Sequence, residues 1–102
     1  MEIVGELAEM AKRNLANYPN VKVIIGNGAK GFEEEAPFDR IIVTCSARRV
    51  PEDLKEQLTE GGKMIIPVGE VFYSKLLLLE KKHGETIEKD LNCACSFVPL
   101  IE

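Results

Sequence analysis

VKVIIGNGAKGFEEEAPFDRIIV, residues 21–43, decides how the chain is read. The apolar run Val21 to Ile25 has the pattern of a buried strand and leads into Gly26-Asn27-Gly28-Ala29-Lys30-Gly31, which satisfies G-x-G-x-x-G. That pattern holds a dinucleotide only when its glycines open a helix whose N-terminal amides face the pyrophosphate, inside a strand–helix–strand unit. Here the next apolar strand, starting at Asp39, begins eight positions after Gly31. A crossover to a parallel neighbour takes roughly ten to twelve residues with its helix. Glu33-Glu34-Glu35-Ala36 has room for a single helical turn before Pro37, and three carboxylates beside the loop would repel a phosphate. A dinucleotide site is therefore not expected.

The 102 residues suffice for one small domain, so residues 1–102 are taken as a single unit. A net charge of −4 argues against a nucleic-acid surface, where affinity comes mainly from Lys and Arg neutralising phosphates. No apolar run approaches the ~20 residues of a membrane span, and no signal-peptide pattern opens the chain, so a cytoplasmic protein is expected. Three cysteines give no disulfide framework. Cys93-Ala94-Cys95 would put two thiols on one face of a strand, but a metal would need two further ligands and the single histidine is His83. No metal site is expected.

Working outward from residues 21–43, apolar residues at Val4, Leu7, Ala11, Leu15 and Tyr18 step by three and four and predict an amphipathic helix over 3–17. Val21–Ile25 and Arg40–Thr44 read as strands buried on both faces, as in a parallel sheet. A second helix is expected from Pro51 to Leu58, ended by Gly61-Gly62. Strands follow at Lys63–Val68 and Tyr73–Lys81, with a turn at His83-Gly84-Glu85 and extended chain beyond it. Helix and strand alternate at first and strands then run on, which implies α/β architecture with one sheet of mixed direction.

Several blocks, in order, carry a family resemblance. They are Glu6 to Leu15, Gly26-Asn27-Gly28, Glu34 to Val43, Val50-Pro51, Gln57-Leu58, Gly61-Gly62-Lys63, Pro67-Val68-Gly69 and Phe97-Val98-Pro99-Leu100. Together they resemble the protein-L-isoaspartate O-methyltransferases, enzymes that use S-adenosylmethionine to methylate isoaspartyl carboxylates in damaged proteins. The resemblance implies a partial Rossmann-like methyltransferase fold: a mixed, mostly parallel sheet with helices, lacking the family's first strands and its glycine-rich loop. It implies that Glu2 accepts hydrogen bonds from the cofactor's ribose hydroxyls. Gly26, Asn27 and Gly28 would stand where the family has Gly-Asp-Gly near the adenine amine. Asn27 keeps a carbonyl acceptor and loses the charge. On a purely structural view the two glycines only permit a tight turn, with Asn27 tolerant of a left-handed conformation.

Cys45-Ser46-Ala47 would fall in the loop that contacts the substrate peptide, with Arg48 where the family has proline. No nucleophile–base pair is expected there, because methyl transfer needs none and no histidine is near in sequence. Arg48 and Arg49 are expected to be solvated. The resemblance further implies that the family's first half, which holds the methionine end of the cofactor and faces the acceptor, has no counterpart here. The expected function is that of a truncated family member, inactive alone and completed by another polypeptide. A weak adenosine-binding remnant and a structural module assembled through sheet edges are the alternatives. With two central strands missing, Val21–Ile25 and Arg40–Thr44 would flank a gap whose unpaired groups are costly if buried. The gap is expected to close by direct pairing of the two strands or by formation of a homodimer, and the homodimer is preferred.

Overall fold

The computed structural model describes residues 1–70 and 72–102. Its centre is built where the sequence is most apolar. Strand β2, Leu58–Glu70, pairs in parallel with β1, Phe38–Ile42, and antiparallel with β3, Tyr73–Lys82, which pairs antiparallel with β4, Glu85–Cys95. The sheet order is β1-β2-β3-β4. Parallel pairing continues past β1 through isolated bridges Ala47↔Val68 and Ser46↔Pro99. The sheet is mixed, as expected, but not mostly parallel: among the described residues β1–β2 is a parallel strand pairing, and from β2 onward the pairings are antiparallel. From there β3 and β4 return through short turns, which admit only antiparallel neighbours.

Alternation on β2 aims Leu58, Met64 and Ile66 into a core completed by Ala47, Val50, Leu54 and Leu79. Leu54 comes from the short helix α2, Glu52–Glu56. Pro51 precedes this helix as its N-cap, and Glu52 and Asp53 complement the helix dipole at its start. The helix stops before Gly61-Gly62. Those glycines lie instead in an excursion of β2, where two steps along β1 (Phe38 to Arg40) match five along β2 (Leu58 to Lys63). The excursion puts the Glu60 carboxylate under the β3–β4 turn, where it accepts hydrogen bonds from the backbone N–H groups of His83 and of Gly84, the latter at 3.1 Å. His83 and Gly84 both have positive φ, 54° and 76°, the conformation of a two-residue hairpin turn.

The N-terminal third departs most from expectation. Helix α1 covers Gly5–Asn14, with Glu6 in its first turn and Lys12 and Arg13 in its last, the polarity that suits the dipole. Its apolar stripe is largely uncovered. Ala8 is buried, but Val4, Leu7 and Met10 are each about half exposed, and among the described residues α1 has no extensive packing against a strand of the sheet. Val21–Ile25 is not a regular strand; its one ladder contact is a parallel bridge between Ile25 and Glu2. Nor does it pair directly with Arg40–Thr44. The gap between them stays open to solvent, and Ile42 is 73% exposed. Open backbone groups keep their water, so the cost expected of a buried gap does not arise. The radius of gyration, 14.0 Å, exceeds the ~13 Å of a compact chain of this size.

Candidate cofactor site

Glu2 and the glycine loop are held side by side by backbone bonds. Glu2 N–H donates to Ile24 O at 3.0 Å, and Gly26 N–H donates to Glu2 O at 3.0 Å. The Glu2 carboxylate accepts from Val4 N–H at 3.2 Å through Oε1. A carboxylate has about four acceptor positions, so this exposed bond leaves capacity for two hydroxyls. Three of the expected binding residues, Gly26, Asn27 and Gly28, therefore follow directly from the backbone that Glu2 anchors.

Asn27 is not left-handed, as the purely structural view would have it. It lies at φ −81°, ψ 110°, and its Oδ1 accepts from Ala29 N–H at 2.9 Å, capping the 3-10 turn Gly28–Lys30. The carbonyl oxygen has a second lone pair for an amine donor. Neither Gly26 nor Gly28 has positive φ. A Cβ on Gly26 would sit 3.2 Å from the Met1 methyl, whereas one on Gly28 would meet nothing within 4 Å. The backbone at Gly28 is thus open to close approach from a cleft of about 410 Å³ that it lines. Met1 and Ile24 line the same cleft as Ile42, Thr44 and Cys45.

The third glycine of the pattern does different work. Gly31 has φ 66°, and a Cβ there would lie 2.0 Å from Gln57 Oε1. Gln57 fills that place with a two-point clamp. Its Oε1 accepts from Phe32 N–H at 2.8 Å and its Nε2 donates to Lys30 O at 3.0 Å. The clamp fixes the loop to the end of α2. Sequence reasoning missed this role for Gln57, since nothing local marks a glutamine that reaches a loop 25 residues earlier. Lys22 reinforces the loop from the other side. Its amine meets Glu35 at 2.8 Å and lies 5.8 Å from the centre of the Phe32 ring. The bond and charge of Glu35 raise the Lys22 pKa above its ordinary value.

The loop carrying Cys45, Ser46 and Ala47 is more enclosed than a peptide-contacting loop would suggest. Ala47 is fully buried and bonded on both sides to β2, through Pro67 O at 3.0 Å and Gly69 N at 2.9 Å. Ser46 is buried; its backbone bonds Val98 O and Leu100 N, each at 2.8 Å, and its hydroxyl lies 2.7 Å from that of Ser74. Cys45 is half-buried in the cleft wall, and Arg48 and Arg49 are exposed. The loop 26–31 opens no α-helix, only 3-10 turns at Gly28–Lys30 and Glu33–Glu35, so the amides that a pyrophosphate would need are not assembled. Among the described residues no three His, Cys, Asp or Glu side chains cluster as metal ligands, and no helix is long and apolar enough to cross a membrane.

A family model for protein-L-isoaspartate(D-aspartate) O-methyltransferase matches residues 1–102. The Methanopyrus kandleri protein-L-isoaspartate O-methyltransferase is 48% identical over 104 residues, covering 99% of this chain and 46% of the relative. The Methanococcus aeolicus protein of the same name is 50% identical over 103 residues, covering 99% and 47%. Among solved structures, a Plasmodium falciparum protein described as a protein-L-isoaspartate O-methyltransferase, in complex with S-adenosyl-L-homocysteine, superposes with a TM-score of 0.80 at 32% identity. That match covers 98% of this chain and 50% of the solved one. The chain thus spans about half the length of the curated relatives it matches. On this match over its whole length, and on a fold shared with the solved relatives, the chain belongs to the protein-L-isoaspartate(D-aspartate) O-methyltransferase family.

Proposed function

We propose that this chain forms the adenosine-facing half of an S-adenosylmethionine site for isoaspartyl methyl transfer, and that the 102 residues alone transfer no methyl group. The observation that carries the proposal is the backbone pairing of Glu2 with Gly26 at 3.0 Å. It sets a carboxylate with spare acceptor capacity beside the loop that carries the Asn27 carbonyl, next to Gly28, whose open backbone borders the cleft. Glu2 would take the ribose hydroxyls and Asn27 the adenine amine. These residues fit a neutral, hydrogen-bonding nucleoside and not a pyrophosphate, because Glu2 and Glu33–Glu35 repel phosphate.

The cofactor supplies an activated methyl on a sulfonium. Bound beside Glu2 and Asn27, it would offer that methyl to an acceptor carboxylate oxygen, with the electron pair of the S–CH₃ bond left on sulfur. No base is required, so the protein's task is to align donor and acceptor. Glu2 and Asn27 can hold one end of the donor. Support for the other end and for the acceptor falls to the part of the relatives that this chain does not match.

Incubating the chain with labelled S-adenosylmethionine and an isoaspartyl peptide tests this directly. No label should transfer above a blank, and adenosine and S-adenosylhomocysteine should bind about equally in a titration followed by amide shifts. Turnover by the chain alone, or binding that depends on the homocysteine carboxylate, overturns the proposal.

A further inference from the structure

We propose that the Asn27–Gly28 step is a modification site: Asn27 sheds its amide as ammonia at a rate set by opening of the loop, leaving an aspartate or isoaspartate beside the cofactor cleft.

The chemistry needs only water. Asn27–Gly28 is the single Asn-Gly step in the chain. In such a step the backbone nitrogen of the second residue attacks the side-chain carbonyl carbon, and a glycine has no Cβ to hinder it. The bond from Gly28 N to Asn27 Cγ forms and the Cγ–NH₂ bond breaks. The proton on Gly28 N passes to solvent, and the amide leaves as ammonia. Water then opens the five-membered imide. Breaking the bond between Gly28 N and Cγ leaves aspartate; breaking the main-chain bond between Asn27 C and Gly28 N leaves isoaspartate. One water is consumed for each ammonia released.

Two observations make this step reactive. Gly28 N–H meets no acceptor among the described residues, so no bond has to break to free the nucleophile. Asn27 and Gly28 are both only half-buried, and the space where a Gly28 Cβ would stand is empty, so water reaches the imide.

The closed loop holds the reacting atoms apart. At ψ 110° the Gly28 nitrogen is turned away from the Asn27 Cβ. Two bonds keep it there: Ala29 N–H donates to Asn27 Oδ1 at 2.9 Å, and Lys30 N–H donates to Asn27 O at 3.1 Å. Ring closure requires ψ to rotate until the nitrogen lies on the Cβ side, and that rotation breaks both. Gln57 resists it from α2, because its side chain holds Lys30 O at 3.0 Å and Phe32 N–H at 2.8 Å. The rate of modification is therefore the rate of reaction in the open loop multiplied by how often the loop opens.

The two products differ in what they do to the site, a consequence that rests on the function proposed above. Aspartate keeps the cap on Ala29 N–H and offers the adenine amine a charged acceptor. Isoaspartate routes the main chain through the side-chain methylene, which lengthens the backbone and moves the acceptor out of place.

The test is to age the full 102-residue chain in warm, mildly alkaline buffer and map its peptides by mass spectrometry. The mass gain of amide-to-acid conversion should fall at Asn27, with ammonia released in equal amount. Gly28→Ala, whose Cβ meets nothing within 4 Å, should slow conversion by about tenfold. Gln57→Ala should hasten it by about tenfold through loss of the clamp, and unfolding the unaltered chain in urea should hasten it at least as much. Circular dichroism checks the folding of both variants, and the comparison of folded with unfolded unaltered chain stands if either misfolds. An Asn27 that stays intact in the folded chain, or converts equally fast in the folded and unfolded chain, overturns the proposal. So does a folded Gln57→Ala chain that converts no faster than the unaltered one. Adenosine should bind the separated aspartate form more tightly than the unaltered chain and the isoaspartate form less tightly. Conversion at Asn27 with equal affinity in all three forms would count against the proposed adenine contact alone.

Discussion

Replacing Gln57 by alanine should loosen the loop that carries Asn27, and the size of the effect follows from the clamp. Two side chain–backbone hydrogen bonds, at 2.8 and 3.0 Å, are lost. Each contributes about 0.5–1.5 kcal/mol. Gln57 is half-buried and water can reach the freed groups, so the sum belongs in the lower part of that range, about 1–2 kcal/mol. With a urea slope of roughly 2 kcal/mol per M, the unfolding midpoint should fall by about 0.5–1 M.

Gly31→Ala sharpens the test. The new Cβ carries the cost of a left-handed residue, about 1–2 kcal/mol. It also occupies the place of Gln57 Oε1, so the glutamine must swing out and lose the same two bonds. In the unaltered chain Gly31→Ala should cost about 2–4 kcal/mol, and in a Gln57→Ala background only about 1–2 kcal/mol. The double-mutant cycle should therefore show a coupling of about 1–2 kcal/mol, well above the ~0.5 kcal/mol scatter of independent sites. A coupling near zero, or a midpoint shift below about 0.2 M for Gln57→Ala, would refute the assignment of the clamp.

Three further outcomes are expected. Asn27→Asp keeps the cap on Ala29 N–H, because Asp and Asn cap equally well, and turns the acceptor into a charged one. Stability should hold while adenosine affinity rises by about fivefold, roughly 1 kcal/mol, as read by titration; unchanged affinity would remove Asn27 from the site. At the buried serine pair, Ser74 Oγ lies 3.0 Å from Glu70 O and 2.7 Å from Ser46 Oγ, so Ser74 donates to Glu70 and Ser46 donates to Ser74. Ser74→Ala should cost about 1–3 kcal/mol because it strands the Ser46 hydroxyl, and Ser46→Ala only about 0.5–1.5 kcal/mol, both by urea unfolding. Glu60 has its pKa lowered by the N–H groups of Gly84 and His83. Its contribution is present above the ordinary carboxylate pKa and is lost as pH falls through the lowered folded value. The melting temperatures of the unaltered chain and Glu60→Gln should differ at neutral pH and converge in acid.

The sequence by itself determined what depends on near neighbours along the chain. The eight-position step from Gly31 to Asp39 cannot hold a crossover helix, and the loop does end in 3-10 turns. His83-Gly84 makes a two-residue hairpin because both residues tolerate positive φ. Met64 and Ile66 alternate within the expected strand Lys63–Val68 and lie in the core, whereas Leu58, expected at the end of a helix, reaches it from β2. Matched blocks in order were enough to indicate the family. Tertiary structure alone decided whether each apolar stripe obtained the cover it asks for. The period of α1 and the run Val21–Ile25 record an expectation of burial. Burial itself depends on an opposing surface, so Leu7 stays half exposed and Ile25 keeps one bridge. The same holds for the site. Glu2 meets Gly26 only through a bond spanning 24 positions, and Gln57 reaches the loop from 25 positions away. Ser46, placed by sequence in a substrate loop, is enclosed by residues 98–100. Contacts of that separation leave no periodicity in the chain, because what fixes them is the packing of segments that are neighbours only in space.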